Sequence, residues 1–151
     1  MSFLLKLKKF ELGALACATN FSILLFNNGF KTSEALAAPN SNMFSPFGQG
    51  MVLVWGVAFM AAGVSDAGRA VWGAFALEKL SYVVGWGAWF QLYREPATAA
   101  VVSAWKSADY SRLLPAFFHV AYGPIDFMFM CLFAHKAVSS FENRPKRPKA
   151  K

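Results

Sequence analysis

The chain has 151 residues, of which 56% are hydrophobic and only 15% are charged, and it carries a formal net charge of +7. Soluble domains sit nearer ~45–50% apolar and ~25% charged residues, so this composition argues against a water-soluble fold and for a bilayer. Nor does the positive excess indicate nucleic acid: nine of the fifteen basic residues are Lys6, Lys8, Lys9, Lys136, Arg144, Lys146, Arg147, Lys149 and Lys151, which flank the apolar part, and no basic groove or base-stacking module can be placed.

The first apolar stretch, about residues 10–26, predicts a short span of about 25 Å, interrupted by Asn20 and Ser22. Asn27-Asn28-Gly29 supplies a helix stop. Lys31 to Pro46 reads as an outside loop with a turn or two of helix at Glu34–Ala38. The basic start, the apolar run and Ala35-Leu36-Ala37 imitate a cleavable signal, but the long polar gap after Phe26 argues against cleavage.

Ser45-Pro46 predicts a helix start with proline in the first turn. The second span, about 47–64, is rich in Gly and Ala, which let helices approach closely where lipid gives no drive to pack. Ser65-Asp66-Ala67-Gly68-Arg69 predicts a tight inside turn that makes the second and third spans antiparallel neighbours. The third span, about 70–92, ends in Trp86, Trp89 and Tyr93, which suit an aromatic belt at the headgroups. Residues 94–112 read as an amphipathic helix lying on the outer surface. The fourth span, about 113–134, is followed by a basic tail, 135–151, read as disordered. The expectation is therefore one all-α membrane domain, residues 1–134: a four-transmembrane-helix antiparallel bundle with both termini cytoplasmic, oriented by its basic ends.

Chemistry concentrates in the last two spans. His119, Tyr122 and Asp126 are three and four residues apart and share a helical face, which Phe129 and Phe133 continue. Pro124 lies in the same helix and frees the carbonyl of Val120. A mid-bilayer charge costs several kcal/mol, so Asp126 should face the bundle, with Lys79 as its natural partner at similar depth. Glu78 and Tyr82 share a face of the third span, while Lys79 points about 100° away; Asn20 can join from the side. The candidate intramembrane polar site is thus Glu78, Lys79, Tyr82, His119, Tyr122 and Asp126. Two readings compete: an ion-paired cluster that only fixes helix register, or a cavity for a polar headgroup, a quinone-like ring or a proton.

No cofactor or metal is expected. Cys17 and Cys131 read as free thiols packed as small apolar groups, and two Cys with two His lack zinc-ligand spacing. His119 and His135 are sixteen residues apart on one helix, roughly 24 Å, and cannot clamp one haem. Phe117, Phe118, Phe127, Phe129 and Phe133 read as lipid-facing or core packing.

In length, span number, basic start and short inside turn, the plan resembles the small DoxX-like four-helix membrane proteins. The resemblance is architectural and transfers no residue. The expected function is an accessory bundle that binds a lipid or a partner subunit. The alternatives are an enzyme or redox accessory acting on a lipophilic substrate, and a small proton-coupled carrier. Expected partners are the bilayer, anionic headgroups at the basic termini, and a membrane protein or a second copy, with no nucleic acid. The expected location is a bacterial inner (plasma) membrane, with the endoplasmic reticulum as the alternative.

Overall fold

The computed structural model describes residues 4–26 and 45–142. The expected stop at Asn27–Gly29, most of the loop with its short helix and Ala35–Ala37, and the tail from Arg144 lie outside these residues. Among the described residues every regular element is helical. A short 3-10 turn, Leu4–Lys6, precedes α1 (Lys9–Phe21) and α2 (Ile23–Phe26). Then come α3 (Pro46–Val64), α4 (Arg69–Lys106) and α5 (Tyr110–Glu142).

Each helix begins or ends where its sequence supplies the missing hydrogen bonds. At the start of α1 the Glu11 carboxylate accepts from the Lys8 amide at 2.7 Å. The Ser45 hydroxyl accepts from the Gly48 amide at 3.1 Å, with Pro46 as the first helical residue of α3. Ser22 separates α1 from α2, so the first apolar stretch is two helical pieces rather than one. Thr19 and Ser22 both turn their hydroxyls back onto carbonyls of the preceding turn, Leu15 and Thr19, which competes with the helix ladder there.

The α3–α4 turn closes with the Ala67 amide on the Ala62 carbonyl at 2.9 Å and Asp66 in a left-handed conformation, φ 50°. Lys9 ties this turn to the start of α1, pairing with Asp66 at 2.8 Å and donating to the Ala67 carbonyl at 3.0 Å. The α4–α5 turn repeats the geometry: Ala108 has φ 52°, and the Asp109 amide reaches the Ala104 carbonyl at 3.0 Å. Asp109 then caps α5, accepting from the Arg112 amide at 3.3 Å.

α1 and α3 run antiparallel and cross at Gly13 and Gly63. A Cβ on Gly13 would lie 2.5 Å from the Phe59 carbonyl oxygen, and one on Gly63 would lie 2.8 Å from that of Lys9. α4 and α5 form an antiparallel hairpin. The two pairs share an aromatic core of Phe59, Trp72, Phe75, Phe129 and Phe133 with Leu12, Ala16, Ala62 and Leu132. Phe59 meets Phe75 edge-on at 4.8 Å and Phe133 at 5.0 Å.

Among the described residues, three stretches are long and apolar enough to cross a membrane: Lys9–Phe26, Pro46–Val64 and Tyr110–Ser139. Beside them, α4 is interrupted in its apolar part by Glu78 and Lys79. Two expectations need correction. Residues 94–112 are not a separate surface helix: α4 continues unbroken to Lys106, and α5 starts at Tyr110. Pro96 is exposed, and the buried seam Trp89, Ala97, Ala104 continues the packed face of α4 toward the turn. The region expected to be disordered from residue 135 is helical as far as Glu142. Cys17 and Cys131 are free and half-buried.

Candidate intramembrane polar site

Lys79 of α4 and Asp126 of α5 form an ion pair of 2.7 Å. Both are nearly enclosed, the lysine side chain 4% exposed and the aspartate 13%. The ammonium also lies 5.2 Å above the Phe59 ring and 5.4 Å from that of Tyr82. The anticipated partnership across the hairpin is therefore present. Helical spacing alone points Glu78 away from Lys79, but the flexible lysine stem brings Nζ to 4.0 Å from the Glu78 carboxylate. One ammonium thus bonds one carboxylate and stands 4.0 Å from a second.

A cavity of about 70 Å³ opens beside this group. It is roomy enough for several waters or a small polar head. α4 contributes Glu78, Lys79 and Tyr82, and α5 contributes Tyr122 and Asp126. Thr19, Asn20 and Ser22 of the first helical stretch complete the polar wall, and Phe26, Phe117, Phe118 and Ile125 make up apolar wall. Asn20, noted in the sequence as a side contributor, is held by a 2.8 Å bond from Nδ2 to the Val52 carbonyl. Its neighbour across α3, Gly56, has room for no Cβ without crowding Asn20 and Phe21.

Five of the six sequence candidates meet at this cavity; His119 does not line it. It is buried one face-repeat further along α5, its Nδ1 2.8 Å from the Pro115 carbonyl and its ring 6.1 Å from that of Trp89. Trp86 packs beside it. Its indole lies on Gly123, where any Cβ would overlap the ring, and its Nε1 donates to the His119 carbonyl at 3.0 Å. Its position in the sequence suits an interfacial belt; the signal pointing inward is the lone glycine between Tyr122 and Pro124. Phe118 joins the cavity wall by stacking on Phe26 at 5.6 Å. Phe129 and Phe133 are core, and Phe117 and Phe127 are each 52% exposed.

Chemically, the site offers two carboxylates, an ammonium and two phenol rings around a small, largely apolar space. It can orient a polar head, or exchange a proton between carboxylates. Among the described residues no three His, Cys, Asp or Glu side chains gather as a metal set. No protein-family model matches the chain, nor does any curated protein or solved structure.

Proposed function

We propose that this is a four-span integral membrane protein, DoxX-like in plan, that binds a lipid-soluble molecule in the cavity beside Lys79 and Asp126. It would act as an accessory or carrier-type binding bundle rather than as an enzyme. The observation that carries the reading is a polar-floored cavity at mid-depth among apolar helices. Lys79 is ten residues along α4 from Arg69, about 15 Å, which is half of a ~30 Å hydrocarbon core. Trp89 falls near 30 Å on the same scale, so Arg69 and Trp89 would bracket the third span. The basic ends support cytoplasmic termini, and a bacterial plasma membrane is the location we favour over the endoplasmic reticulum.

The test is photo-crosslinking with a lipid carrying a diazirine and an alkyne in its chain, in membranes holding the full protein. Labelling concentrated on Phe26, Phe118 and Tyr122 is expected. Labelling spread evenly over the outward residues Val54, Val57 and Leu77 overturns the reading. A second reading, acid–base catalysis on a lipophilic substrate, draws on one feature: Glu78 and Asp126 both lie within 4.0 Å of the same ammonium.

A further inference from the structure

Resting on that binding role, we propose a ligand class: a lipophilic amine, singly protonated, whose ammonium is taken by Glu78.

The charges within the site do not balance. Lys79 supplies one positive charge and Glu78 and Asp126 supply two carboxylates, and the short 2.7 Å bond commits the lysine to Asp126. Glu78 is 4.0 Å from that ammonium, and its two oxygens have no hydrogen-bond partner among the described residues. Its side chain is only 9% exposed and forms part of the cavity wall. A carboxylate so enclosed needs a cation or donor to offset its lost hydration.

The rest of the polar wall has the same one-sidedness. One Asn20 Nδ2 hydrogen goes to Val52, the Thr19 hydroxyl hydrogen to Leu15 and the Ser22 hydroxyl hydrogen to Thr19, all of them to backbone carbonyls. Beyond one Asn20 N–H, what these three side chains retain for a ligand is oxygen lone pairs. With the Glu78 and Asp126 carboxylates, acceptors outnumber donors on this wall even counting the Tyr82 and Tyr122 phenols. An ammonium head matches it in both charge and donor count, whereas a carboxylate head would meet two like charges. About 70 Å³ accommodates such a head and its first methylenes. Phe26 and Phe118 line the apolar side, and half-exposed Phe117 carries the wall to the outer surface, so a hydrocarbon body has a path toward lipid.

The experiment compares dodecylamine, 1-dodecanol and dodecanoate at neutral pH on the full-length protein in phosphatidylcholine nanodiscs. The readout is the concentration that gives half of the maximal thermal stabilisation. The amine is expected to act at a concentration at least tenfold below the alcohol, with the carboxylate weakest. Glu78→Gln should erase the amine's advantage while keeping the response to the alcohol, which also shows that the variant is folded. Should it fail to fold, the order of the three probes on the wild-type protein decides alone. Equal responses overturn the amine proposal and leave the binding role standing. A carboxylate that acts best overturns it in favour of Lys79 as anchor. No saturable response to any of the three overturns the binding role itself.

Discussion

The indole of Trp86 rests directly on the backbone of Gly123, with no space between them for a methyl group. That contact closes α4 on α5 beside His119, whose carbonyl the indole also bonds. Gly123→Ala should therefore force the hairpin apart locally at a cost of about 1–3 kcal/mol. It should also let solvent or lipid reach His119. The check is thermal unfolding together with tryptophan emission. Trp86→Phe in the Gly123→Ala background should recover part of the loss, because the smaller ring leaves room for the methyl.

Breaking the buried pair should cost more from one side than from the other. Lys79→Met removes the only cation that, among the described residues, pairs with the two enclosed carboxylates, and should cost about 3–5 kcal/mol. Asp126→Asn leaves the ammonium with Glu78, already 4.0 Å away, as a substitute partner, so its cost should be clearly smaller. Unfolding in graded denaturing detergent ranks the two, and equal losses would show that Glu78 does not stand in.

The α1–α3 crossing admits almost nothing larger than hydrogen. Gly13→Ala should cost about 1–3 kcal/mol, because its Cβ meets the backbone oxygen of Phe59 rather than a side chain that can turn away. Gly50→Ala is the control: a Cβ there meets nothing within 4 Å, and the change should be neutral or slightly stabilising. Melting temperatures of the two variants provide the comparison.

Much of this plan is legible in residue order. Ser45-Pro46 announces α3, the five residues from Ser65 announce a tight turn, and two opposite charges at equal depth, Lys79 and Asp126, announce each other. What escapes is whatever depends on a neighbour. The passage of α4 through Pro96 is supported by a small-residue seam that reads as mere alanine content until the partner helix is in view. Periodicity puts His119 and Asp126 on one face, yet it cannot show that only Asp126 reaches the cavity.

Both hairpin turns hold a non-glycine residue in the left-handed region, and the two should respond differently to glycine. Ala108→Gly relieves φ 52° without losing a contact of the side chain and should stabilise by about 1 kcal/mol. Asp66→Gly relieves φ 50° but removes the 2.8 Å pair with Lys9, largely solvent-exposed on the aspartate side, so the two effects should nearly cancel. Calorimetry on the two variants in one detergent tests the contrast.

At the far turn, the hydrogen bond from the Ser111 hydroxyl holds the Asp109 carboxyl below the usual carboxylate range. Its contribution to capping α5 is thus complete above the ordinary Asp value and is lost as pH falls through the lowered one. Stability of the wild-type chain should decline below about pH 4 more than that of Asp109→Asn, whose amide oxygen still caps at any pH. Melting curves of both proteins across the acid range provide the measurement.

The bond between Lys79 and Asp126 also bears on biosynthesis. If α4 crosses the membrane as proposed, it emerges from the ribosome with a carboxylate and an ammonium in the middle of its apolar part, before the helix carrying Asp126 is made. On its own it would be a poor substrate for lateral release into lipid, at several kcal/mol for each charge. Partition into the membrane should therefore wait for Asp126 to be translated, so that the last two helices leave the insertion machinery as one folded unit.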